Sequence, residues 1–193
     1  MKKLLLLLGL FSPLAFGFSQ QELVNQLQKP ESLQGQFTQQ RFLKSLTKPI
    51  VATGEFALAK NQGLLWQMQK PFANNLRVKK EGISQWNGSQ WVSNDKLGQS
   101  QQISLFLGLL SGDVSALSSQ FNLNLTGSAK DWKLTLTPSS LLMKQIFNSI
   151  HIQGADVVKS IELNETQGDR TLIELQNTQI NQPLATFVQE ALR

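Results

Sequence analysis

The chain has 193 residues, of which 40% are hydrophobic and 16% charged, with a formal net charge of +5 at pH 7. With 0 Cys it has no disulfide, thiolate metal site, cysteine nucleophile or cysteine for lipid attachment. Its mild basic excess lacks the clustered stripe of a nucleic-acid binder, so nucleic acid is not an expected partner.

Residues 1–17 read as a secretory signal, with Lys2 and Lys3 as the basic start and an apolar run over residues 4–11. Ala15 and Gly17 fit a cut after Gly17, and a cut after Ser19 is the alternative. The run is too short for a lasting anchor, and no other stretch approaches the roughly 20 apolar residues of a spanning helix. The expectation is an exported, soluble periplasmic domain over residues 18–193.

A short helix opens that domain, with Leu23, Val24 and Leu27 at helical spacing and Pro30 closing it. Strand patterns follow over residues 34–42, 53–59, 63–68 and 76–80, the second and third joined by a turn at residues 61–63. Segments 83–86 and 90–93 flank Asn87 and Gly88, a pair suited to a type I′ hairpin turn.

The period then changes. Residues 103–110 form an apolar helical segment, and Asp113 can cap a second short helix that runs to Ser119. Phe121, Leu123 and Leu125 alternate with polar residues, as do Trp132, Leu134 and Leu136, predicting a hairpin. After Pro138, Ser139 or Ser140 can cap a helix over residues 141–149 carrying Leu142, Ile146 and Phe147 on one face. Strands are expected over residues 150–153, 157–164 and 171–176, and the tail at 184–192 is helical or frayed. About nine antiparallel strands with few helices predict a mainly β fold, one large curved sheet with the helices on its concave face.

Catalytic patterns are not found. His151 is the single histidine, and no nucleophile elbow, zinc helix or phosphate loop accompanies it. Glu162, Glu165 and Glu174 read as solvated charges around a turn. No enzyme activity, metal or cofactor is expected.

The aromatics Phe37, Phe56, Trp66, Phe72, Trp86, Trp91, Phe106, Trp132 and Phe147 suit either an ordinary core or an apolar cavity between sheet and helices. Lys60 is in phase with Phe56 and Leu58. It either faces inward onto a helix carbonyl or ligand headgroup, or snorkels out at the sheet rim.

The motifs G-x-F-x-Q-x-R at 35–41, G-E-F-A-L-A-K at 54–60 and G-L-L-W-Q-M-Q-K-P-F at 63–72 resemble the LolA family. More narrowly, the chain is similar to the LolA-like carriers linked to aryl-polyene and other glycolipid clusters. L-L-S-G-D at 109–113, W-K-L-T-L-T-P at 132–138, G-D-R-T at 168–171 and N-Q-P-L at 181–184 agree, so the resemblance covers nearly the whole domain.

This resemblance implies an incomplete β-barrel whose helices plug a hydrophobic cavity for acyl chains. It implies a monomeric carrier of an acylated cargo, lipoprotein or glycolipid, taken from an inner-membrane exporter to an outer-membrane acceptor. A half-barrel module that binds a protein partner or senses lipid is the other reading. Trp66 takes the place of the family's cavity tryptophan and Leu64 that of a cavity aromatic, with Phe56 and Leu58 at the matching strand positions. Phe37, Met68, Leu76 and Val78 join them as cavity candidates, together with Phe106, Leu110 and Phe147 from the helical segments. Lys60 stands where the family has an arginine that latches the helical lid, and a lysine cannot make that fork of hydrogen bonds.

Overall fold

The computed structural model describes residues 17–93 and 117–193, with Gly108 and Leu110 between them. Among the described residues eleven antiparallel strands form one open sheet in the order β6-β5-β4-β3-β2-β1-β11-β10-β9-β8-β7. The strands are β1 (Ser32–Phe42), β2 (Ile50–Ala59), β3 (Gly63–Lys70), β4 (Asn74–Lys79), β5 (Gly82–Trp86) and β6 (Trp91–Ser93). They continue with β7 (Phe121–Ser128), β8 (Asp131–Pro138), β9 (Phe147–Gly154), β10 (Val158–Glu165) and β11 (Arg170–Ile180). The helices whose full extent lies within the described residues are α1 (Gln20–Leu27), α2 (Leu141–Ile146) and α3 (Thr186–Leu192). All strand segments expected from alternation form, and β1 and β11 run longer than their patterns.

The long antiparallel pairing of β1 with β11 joins the first and last strands. Each half of the sheet is otherwise a meander of sequence neighbours, joined by turns or loops except where α2 links β8 to β9. One core cluster takes Ile83 and Val78 from β5 and β4, and Phe121 and Trp132 from β7 and β8. Strands near opposite edges can share a core only if the sheet curls around it. That face is therefore the concave one.

Leu23 and Leu27 of α1, together with Leu110 and Leu117, are buried in the same core. The Gln26 amide donates to the carbonyls of Ala129 and Ala155, in the β7–β8 and β9–β10 turns. Helix α1 thereby closes one end of the curl, where the β2–β3 and β4–β5 turns also lie. At the opposite end are the β1–β2, β3–β4, β5–β6 and β10–β11 connections, and α2.

Three local expectations change. The β5–β6 connection spans four residues, 87–90, because Trp86 pairs with Trp91. Its Asn87 side chain accepts from the Ser89 and Gln90 backbone N–H groups, an Asx turn in place of the two-residue hairpin turn. Helix α2 stops at Ile146, and Phe147 opens β9 with extended backbone. Its buried residue is Met143, while Leu142 is exposed. The third change concerns α3, which packs away from the concave side. Val188, Ala191 and Leu192 form a second core with Ala57, Ala59 and Leu65 on the outer face of the sheet. The helical patterns at residues 103–107 and 113–116 lie outside the described residues; Gly108, Leu110, Leu117 and Ser118 are helical.

Candidate functional site: an apolar concave face

Strand alternation sends Phe56 and Leu58 of β2, and Leu64 and Trp66 of β3, to one face. Pairing places Phe56 beside Trp66 and Leu58 beside Leu64, with Leu76 and Val78 of β4 beyond them. Phe37, Phe56, Leu58, Leu64, Trp66, Val78, Leu110 and Phe147 are all buried in the concave core, and Met68 and Leu76 are half-buried against it. The structure thus brings every described cavity candidate to one surface. Phe106 lies outside the described residues.

Glycines shape that surface. Gly35 and Phe37 of β1 pair reciprocally with Phe56 and Gly54 of β2. A Cβ on Gly54 would come within 2.8 Å of the Phe37 ring. With hydrogen there instead, Phe37 lies across β2 and stacks on Trp66 of β3, ring centroids 3.7 Å apart at 20°. Phe56 adds a tilted contact to the same indole at 6.3 Å. Across the curl, Trp132 of β8 lies over Gly154 of β9 in the same way. Its indole N–H donates to the Ala155 carbonyl at 2.6 Å, so the buried ring leaves no polar atom unpaired.

The buried residues of this face are apolar except Thr171 of β11, which is in phase with Ile173 and Leu175. At the end away from α1 the lining turns polar. Asn74 sits in register with Met68, and its Oδ1 is buried without a hydrogen-bond partner. A buried acceptor left unpaired costs about 1–3 kcal/mol. A ligand group carrying an N–H or O–H can remove that cost.

Lys60 takes the rim placement. It follows the end of β2 at the α1 end of the sheet, and its ammonium pairs with the Glu31 carboxylate at 2.9 Å. Its side chain is 40% exposed, so of the two placements open to it from strand phase Lys60 takes the outward one. The strand stops at Ala59, and phase does not extend into a turn.

Other aromatics sit elsewhere. Trp86 and Trp91 meet Phe187 of α3 on the outer face, and Phe72 is 80% exposed in the β3–β4 loop. His151 bridges the hydroxyls of Thr135 and Ser149 at 3.2 Å each, with no carboxylate on either ring nitrogen. Among the described residues no group of three or more His, Asp or Glu could hold a metal ion.

Sequence reasoning did not anticipate Asn74 or the ring stack. The repeated Gly-x-Phe spacing on two adjacent strands was the available signal for the stack, and nothing marks Asn74 without the register.

Comparison with known proteins agrees with this architecture. The chain matches no curated protein by sequence. The LolA superfamily protein NE2245 from Nitrosomonas europaea shares the fold at TM-score 0.50 and 9% identity, over 89% of this chain and 97% of that one. MucB of Pseudomonas aeruginosa, in its complex with MucA, matches at TM-score 0.51 and 14% identity, over 86% of this chain and 57% of that one. The family described as outer membrane lipoprotein carrier protein LolA matches residues 28–188, and the chain belongs to the LolA family.

Proposed function

We propose that the protein is an exported periplasmic carrier that holds the acyl chain of a lipoprotein or glycolipid against its concave face and moves it between the inner and outer membranes. The observation that carries this reading is the apolar surface around the Phe37–Trp66 stack, which ends at the unpaired Asn74 acceptor. Apolar lining suits the chain, and a polar mouth suits a headgroup. Burial contributes about 0.8 kcal/mol per CH₂, so a long chain gains on the order of 10 kcal/mol before any helix is displaced. Helices that return to the surface after release offset part of that gain and make transfer reversible. On this reading the protein binds and releases its cargo and needs no catalytic group.

A second reading follows from MucB, whose related fold is seen in complex with the protein MucA. On that reading the half-barrel holds a protein partner. Mass spectrometry of protein isolated from an envelope extract separates the two. Retained acylated lipid or lipoprotein supports the carrier. A stable protein complex without lipid, together with no binding of a fluorescent fatty-acid probe, rejects it.

A further inference from the structure

Exposed large apolar side chains gather at the end of the sheet away from α1. Leu46 lies in the β1–β2 loop, Ile50 and Val51 begin β2, Phe72 tips the β3–β4 loop, and Leu141 and Leu142 open α2. Phe72 and Leu141 are 80% and 82% exposed. Interleaved with them are Lys44, Lys48, Lys70 and Lys144, all exposed. None of these four ammonium groups meets a carboxylate among the described residues. The α1 end is also basic, but among the described residues its single exposed large apolar residue is Ile180. The coincidence of the two features, not charge alone, sets the rim apart.

We propose that this rim is a docking surface for an anionic phospholipid bilayer. Phe72, Leu141 and Leu46 would enter the headgroup–acyl boundary while the lysines meet lipid phosphates. Apolar tips beside cations have the chemistry of interfacial binding, in which buried area and attraction to anionic lipid add. A protein partner would leave the lysines in need of acids. A second copy of the chain would bring lysine against lysine. The inference deepens the carrier reading and rests on it for its purpose, because Asn74 and Met68 mark the mouth of the concave face at this same end. A docked rim would pass an acyl chain from bilayer to protein without exposing it to water.

Flotation with vesicles of phosphatidylglycerol and phosphatidylethanolamine, against vesicles of phosphatidylcholine alone, tests the contact. The exported domain, residues 18–193, should bind the anionic vesicles preferentially, and salt should weaken binding. Phe72→Ser and Leu141→Ser should each lower it about tenfold. The triple change Lys44→Glu, Lys48→Glu, Lys144→Glu should lower it by about fivefold or more per lysine at low salt. Lys80→Glu with Lys159→Glu, at the α1 end, should leave it unchanged. Equal binding to both vesicle types, an equal loss in the Lys80/Lys159 variant, or a rim-dependent dimer in sedimentation would overturn the proposal. Fatty-acid probe affinity in solution is measured for every variant. Rim variants should keep it, whereas absence of probe binding in the wild type would reject the carrier reading and leave the bilayer contact standing.

Discussion

Phe37 and Trp66 stack at 3.7 Å although a whole strand separates them, because the β2 residue opposite Phe37 is Gly54, which lets the ring cross diagonally to the indole. Gly35 and Phe56 mirror the arrangement, so two Gly-x-Phe segments on adjacent antiparallel strands place each ring opposite the other's glycine. The rings lie along the sheet instead of standing up from it, which leaves a smooth apolar wall. Interior strand glycines often mark such close approaches.

Gly54→Ala tests that arrangement. The added methyl would press on the Phe37 ring and on the Gln67 carbonyl oxygen. Backbone cannot yield as a flexible side chain can, so a loss of about 1–3 kcal/mol is expected, as for an overpacked core. Tryptophan near-ultraviolet circular dichroism should weaken as the stack opens. An unchanged spectrum with unchanged Tm would mean that the ring packing does not depend on this glycine.

Much of this was legible locally. Alternation located the strands because one face of each is buried, and Pro30 and the serine before α2 marked helix limits. What escaped depends on distant partners. Phe147 belonged to the helical pattern at residues 141–149, yet it opens β9 because its side chain joins the concave core beside Ile150. Which of its two placements Lys60 takes was not legible because it depends on Glu31, 29 residues away in sequence, which meets it beyond the strand end. The docking of α3 was invisible for the same reason, though consecutive Leu64, Leu65 and Trp66 carried a hint: a strand apolar on both faces needs cover on both.

That outer cover can be tested through Arg77. Its guanidinium sits 4.7 Å from the Trp91 ring centroid and donates to the Ala191 carbonyl at 3.3 Å, tying β4 to β6 and to the end of α3. Arg77→Ala should cost about 1–2 kcal/mol, from a cation–π contact and one hydrogen bond. Hydrogen exchange should quicken over residues 186–192, while fatty-acid probe affinity holds because α3 is on the opposite face. A drop in probe affinity would show that the two faces are coupled.

The start of α1 should respond to acid. The Ser19 backbone N–H and hydroxyl donate to the Glu22 carboxylate at 2.8 and 2.7 Å, and the Glu22 backbone N–H donates to the Ser19 hydroxyl oxygen at 3.3 Å. The backbone bond first, and the hydroxyl second, hold the Glu22 pKa below its ordinary value of 4.5. A depressed carboxylate stabilises the fold above its unfolded pKa, and that contribution disappears as pH falls through the folded value. Ser19→Ala should raise the Glu22 pKa in an NMR titration and cost about 1 kcal/mol of helix capping. An unmoved titration would mean that the capping box does not form in solution.

Trp66 decides whether the concave face is a site or only a core. It is 7% exposed, stacked on Phe37 and tilted against Phe56, so Trp66→Ala removes the centre of the wall. In a fully packed core that truncation costs about 3–5 kcal/mol. A surface that opens for cargo should lose less, because its lining is not fully packed in the empty state. Fatty-acid probe affinity should fall in parallel. Leu64→Gln changes polarity on the same face with little change in volume, and Leu64 is buried between Leu58 and Val78. It should weaken the probe as well, since an unpaired amide in that wall costs about 1–3 kcal/mol. Thermal stability and probe affinity, read together for both variants, separate the cases. Lower stability with unchanged probe binding would make these residues ordinary core and place the cargo elsewhere on the sheet.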